Sequence, residues 1–356
     1  MTFLSILACA ACVCAGADST CCASTAQSLI CNLADAAEHG RFYFGHHDDT
    51  AYGRDWQYVE GASDVKALTG RYPGMMSWDL GMIELASDKN LDGVPFSFMA
   101  TEISRQQARG GVSTISWHPR NPATGGDSWD TSASPLELMA ENPALRDTLE
   151  LWIDRAADFI GSIRNDAGER VPVIFRPWHE NSGSWFWWGA PYSTPPQYID
   201  LWKLTRERFD AKGIDNVVWA YAPDKDLTRE QYFSTYPGDE YVDILGCDIY
   251  HFDGENGLAD FERRLNDQLP YIAAEASRRG KVAALTETGL ESVTMPRWYT
   301  EVMLPVMKRY KLAYVCVWRN AQKQQLPDHY YVPFKGHPAE ADFVEFASDP
   351  AVIMVR

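Results

Sequence analysis

The chain has 356 residues, 46% of them hydrophobic, and a formal net charge of -17. The length suits one large α/β domain with a sizeable core. The acidic balance and the lack of a basic run argue against nucleic acid, which demands clustered Lys and Arg, and suit a neutral substrate.

Phe3 to Ala15 is apolar and uncharged. It is too short to span a bilayer as a mature helix and is placed like a secretory h-region, although no Lys or Arg precedes it. Six of the eight cysteines fall in the first 31 residues. We expect a signal peptide or lipoprotein leader over residues 1–25 and a catalytic domain over 26–356. The protein is then secreted, periplasmic or an outer-membrane lipoprotein, and it meets a membrane only through an N-terminal lipid anchor. The alternative is a cytoplasmic chain with an apolar N-terminal element. Cys247 and Cys316 sit in strand-like runs and read as buried thiols.

Eight strand-like runs follow: 42–47, 74–79, 112–118, 171–180, 217–223, 243–250, 282–288 and 313–319. Helical spacing fills the gaps, over 147–163, 196–212, 261–279 and 298–310. Pro196 and Gly213 bracket one helix, and Gly280 stops another. Residues 119–134 read as a loop. The alternation predicts a (β/α)8 TIM barrel, with an open doubly wound sheet as the alternative.

Barrel active sites lie at the C-terminal strand ends. Seven of the eight runs end in polar residues: His46 to Asp49, Asp79, His118, His179-Glu180, Asp248 with Tyr250, Thr286-Glu287, and Trp318-Arg319. Glu180 and Glu287 end the fourth and seventh strands and form the natural carboxylate pair, which glycoside hydrolysis needs on both sides of the scissile bond. Arg176 has two readings, charge on Glu287 or pairing with another core carboxylate. The block Trp185-Phe186-Trp187-Trp188 suggests faces for sugar stacking. His118, His179 and Asp248 could instead meet at a metal, but no His-Glu-x-x-His pair or Cys/His cluster supports it. There is no Gly-x-Ser-x-Gly elbow and no Gly-rich phosphate loop.

The segment His179-Glu180-Asn181-Ser182-Gly183-Ser184-Trp185-Phe186-Trp187-Trp188-Gly189 resembles the strand-four signature of glycoside hydrolase family 26, best known for β-mannanases. Many members carry Met-Asn where this chain has Asn181-Ser182. Gly246-Cys247-Asp248-Ile249-Tyr250, Thr286-Glu287-Thr288-Gly289 and Trp318-Arg319 match later family segments in order. The resemblance implies a retaining β-1,4-mannanase acting on β-mannan or manno-oligosaccharides without metal or organic cofactor; we expect a monomer. It implies Glu180 as acid/base and Glu287 as nucleophile, with carboxyl groups about 5–5.5 Å apart. His118, His179, Trp185, Asp248, Tyr250, Trp318 and Arg319 would bind substrate, with Trp129 a distal contact. The alternatives are a β-1,3-1,4-glucanase or xylanase on the same scaffold, or a glycan-binding barrel without catalysis.

Overall fold

The computed structural model describes residues 25–356. The expected leader lies outside the described residues, apart from Thr25, which begins the first helix. Ten strands form one sheet: β1 (Phe42–His47), β2 (Tyr72–Pro73), β3 (Met75–Asp79), β4 (Val112–Ser116), β5 (Val173–Arg176), β6 (Val217–Tyr221), β7 (Ile244–His251), β8 (Val282–Leu290), β9 (Tyr314–Val317) and β10 (Val352–Val355). Eight of them run parallel in the order β1-β3-β4-β5-β6-β7-β8-β9, and β9 pairs back onto β1 to close the ring. This is the expected (β/α)8 barrel. The sequence did not disclose β2 and β10, which hang on the outside of β1: β10 pairs parallel with β1 and antiparallel with β2. Their four- and two-residue lengths are too short to show a period.

The expected helices are present with moved ends. Pro143–Ser162 and Pro195–Ala211 both carry proline in the first turn, where its missing N–H costs nothing, and the second is closed by a Thr194/Gln197 capping box. Gly254–Arg279 starts a full two turns before the expected residue 261 and tolerates Pro270 inside it. The last expected helix is split into a wider-wound turn, Trp298–Met303, and Leu304–Tyr310. No helix among the described residues is long and apolar enough to cross a membrane.

Two apolar clusters hold these layers together. The larger lies chiefly between strands and surrounding helices, with Phe175, Trp219, Leu245 and Leu285 facing Trp202, Phe209 and Leu269. The smaller joins Ile174, Val218, Ala220, Ile244 and Ala284 to Leu29 and Leu33 of the helix Thr25–Glu38. That helix touches β1, β6 and β8, on separate arcs of the ring. It therefore lies across the N-terminal end of the barrel, and the opposite end is left for chemistry.

Candidate active site

Glu180 stands on a turn that follows β5. Trp178 and Glu180 both have positive φ, 52° and 53°, a conformation that costs non-glycine residues on the order of 1–3 kcal/mol and persists only where neighbours hold it. Here the Glu180 N–H donates to Ala222 O at 2.7 Å, the Trp188 indole donates to His179 O at 2.8 Å and Tyr198 donates to Trp178 O at 2.8 Å. The row 185–188 therefore does not wall the pocket as a block. Trp187 and Trp188 are fully buried and pack against Trp178 of the strained turn, while Phe186, nearly buried, packs against His118, His179 and Trp129. Trp185 alone of the four faces the cleft side, and its indole N–H donates to Glu180 Oε2 at 2.6 Å. A side chain at Gly183 would sit 2.5 Å from that indole ring, so glycine is needed for this seating.

Glu287 is aimed by an irregularity in β8. Cys247 pairs with Leu285 but the next residue, Asp248, pairs with Glu287, so Thr286 is skipped; the register against β9 shifts at the same place. A bulge re-aims side chains in this way beside functional sites. Thr286 Oγ1 donates to Asp248 Oδ1 at 2.6 Å and lies 2.9 Å from Cys247 O. Arg176 donates one amino group to Asp248 and the other to Glu287. The arginine thus touches both Glu287 and a second core carboxylate. Tyr250 OH donates to Glu287 Oε1 at 2.6 Å, so both oxygens of that carboxylate accept a bond.

A histidine chain lines the next arc. Asp79 Oδ2 holds His118 Nδ1 at 2.6 Å, and His118 Nε2 lies 3.1 Å from His179 Nε2. Trp318 stacks on His47, ring centroids 4.0 Å apart, and Arg319 reaches Asp92 at 2.9 Å and Tyr52 at 3.2 Å. Trp129 is half exposed and stacks on His118 at 5.5 Å. All the expected site residues thus stand at one end of the barrel. Asp79 was legible as a polar strand end without an assigned role. Asp224 was missed because the fifth run closes on Ala222-Pro223, one residue short of it. Asp92 and Tyr52 lie on loops, where spacing carries no signal.

The electrostatics separate these groups. Burial pushes the Glu180 carboxyl well above the usual range, and the negative charges of Glu287, Asp248 and Asp224 push it further, against Arg176. Burial also raises Asp248 and Tyr250. Burial would raise Asp79 too, but His118, Ser116 and the Gly81 N–H outweigh it and hold its carboxyl at about 2. His118 is raised, since Asp79 overcomes burial, whereas burial and the Arg176 charge lower His179 well below its usual value. Among the described residues, His47, Asp48 and Asp92 place ligand atoms within 4.8 Å of one another, a spacing that could hold a metal ion. Arg319 and a Tyr52 hydroxyl (2.6 Å from Asp48) already meet the two carboxylates.

Known proteins resemble this chain in both sequence and fold. The sequence profile of glycosyl hydrolase family 26 matches residues 19–287. A mannan endo-1,4-beta-mannosidase of Bifidobacterium adolescentis is 31% identical over 82% of this chain, and one of Bacillus subtilis is 29% identical over 62%. The chain spans only 31% and 62% of the length of these two relatives. Among solved structures, a GH26 beta-mannanase from Bacteroides ovatus is 44% identical, covers 93% of this chain and 95% of its own, and has a TM-score of 0.89. A modular endo-beta-1,4-mannanase from Cellulomonas fimi is 32% identical, covers 93% and 76%, and has a TM-score of 0.81. With a matching profile across most of its length and this fold beneath it, the chain belongs to glycosyl hydrolase family 26.

Proposed function

We propose that the protein is a retaining β-1,4-mannanase that cleaves mannan, glucomannan or galactomannan, with Glu180 as acid/base and Glu287 as nucleophile. The observation that carries this reading is the contrast between the two carboxyls. Desolvation and surrounding negative charge push the Glu180 carboxyl upward, which favours the protonated form that a donor to a glycosidic oxygen needs. Glu287 is oriented through both oxygens by Arg176 and Tyr250. In the first step Glu287 attacks the anomeric carbon, the C–O bond to the leaving sugar breaks, and the Glu180 proton passes to the departing oxygen. In the second, Glu180 takes a proton from water, whose oxygen displaces Glu287 from the glycosyl-enzyme. The relatives named as mannosidases support mannan as substrate over mixed-linkage glucan or xylan.

The test is incubation with linear mannan, lichenan and xylan. Products are separated by chromatography and the first-formed anomer is read by proton NMR. Mannan cleaved to β-configured ends is the expected result, with Glu287→Ala folded and inactive. Initial α-products overturn retention, and an active Glu287→Ala enzyme overturns the nucleophile assignment. Secretion through the N-terminal leader is part of the same reading, since polymeric mannan is met outside the cell.

A further inference from the structure

Phe252 is an anomaly on this molecule. It directly follows β7 and is 53% exposed, while the residues around it are tightly held. His251 before it stacks on Phe261 at 4.7 Å, accepts the Trp298 indole at 3.0 Å and lies 2.8 Å from Gly254 O. After it, Asp253 and Gly254 both take positive φ, 62° and 50°. A side chain on Gly257 would come within 1.7 Å of Phe252 O, so the helix start is pressed against the phenylalanine backbone. An apolar ring is therefore presented to solvent on a rigid turn, and ligand ordering costs little extra on such a support.

Its neighbours connect it to the site. The Phe252 ring lies over Tyr250, centroids 6.2 Å apart and planes 29° apart, and Tyr250 is the hydroxyl donor to Glu287. Lys225, on the loop after β6, holds its ammonium 5.1 Å from the same ring. That loop is tied to the Glu180 turn: Asp224 N donates to Ser182 Oγ at 2.9 Å, and Ala222 O accepts from Glu180 N. In the ring of strands, β6 and β7 lie between Glu180 and Glu287 on one side, while β9, β1, β3 and β4 lie between them on the other. A chain cleaved between two flanking carboxylates leaves through these two gaps. The acid/base serves the leaving oxygen, and the Glu180 backbone N–H itself is held from the β6–β7 side, by Ala222 O, whereas the β4 side meets the turn through the His179 ring.

We infer that Phe252 is a stacking platform for a leaving-group sugar beyond the cleaved linkage, with Lys225 beside it as a hydroxyl donor, and that it sets preference for longer mannan chains. This rests on the β-mannanase reading above. The test compares mannohexaose with 4-nitrophenyl β-mannobioside, whose aryl leaving group cannot reach a platform for a second sugar. With Phe252→Ala, kcat/KM on mannohexaose is expected to fall about 5–10-fold, the size of one lost sugar–aromatic stack. On the aryl substrate it stays within about twofold, and Phe252→Trp keeps activity on both. Equal losses on both substrates, or no loss on mannohexaose, overturn the assignment. A wild-type protein that cleaves neither substrate is a different result and sinks the parent reading instead.

Discussion

At the scale of single residues, the site depends on charges held close together in a buried setting. Glu180 is half-buried, and loss of solvation chiefly, then repulsion from Glu287, Asp248 and Asp224, pushes its carboxyl well above the usual range. Asp224 is the member of that set bonded to neither Arg176 nor Tyr250, so it can be neutralised without dismantling the Glu287 cradle. Removing its charge lowers the Glu180 pKa, and the alkaline limb of the kcat/KM profile reports that group in the free enzyme. Asp224→Asn is therefore expected to move the alkaline limb to lower pH and leave the acid limb in place. A limb that stays put or moves upward would remove Glu180 from the acid role. Glu180 and Glu287 were legible in the sequence because each follows an apolar run and stands beside other polar residues. The strained turn and the skipped Thr286 that aim them were not, since both are set by backbone geometry rather than by composition.

Elements carry the next lesson. Barrel strands were readable because a parallel sheet buried on both faces gives continuous apolar runs such as Val171 to Phe175. The aromatic row 185–188 does not offer four stacking faces, for a related reason: exposure cannot be told from hydrophobicity, and Phe186, Trp187 and Trp188 are buried. The helix Thr25–Glu38 went unread beside the apolar leader, yet it closes the far end of the barrel through Leu29 and Leu33. Leu33 is fully buried, and truncating such a leucine costs about 2–5 kcal/mol. Leu33→Ala should lower unfolding free energy in urea by that amount, while KM on manno-oligosaccharides is unchanged, because the helix lies at the end opposite to Glu180. A loss of substrate affinity without loss of stability would mean that the helix communicates with the site.

The whole molecule combines an excess of carboxylates with a polar interior, and this fixes how its stability responds to pH. Burial raises Asp48, Glu180, Asp224 and Asp248, so the folded state holds protons that the unfolded chain releases, and their contribution declines as pH rises from the carboxylate range toward their folded values. His118 is raised above 6.5, and its contribution is present below that value and lost as pH passes its folded pKa. Asp79 runs the other way: with a folded value of about 2 against 3.8, it contributes above 3.8 and is lost only in strong acid. His47 and His179 are lowered, so the cost of keeping them neutral disappears once pH exceeds 6.5. Above that point nothing in this set still gains, while His118 and any carboxyl not yet ionised still lose. The formal charge of -17 adds self-repulsion throughout. The melting temperature should therefore be lower at about pH 8.5 than at about pH 6.5 in buffers of equal ionic strength. Added salt should recover part of the difference by screening the surface charge, but not the part owed to buried groups. A melting temperature that is flat or rises over this interval would show that the buried carboxyls are ionised at little cost, and the protonated state of Glu180 would lose its physical basis.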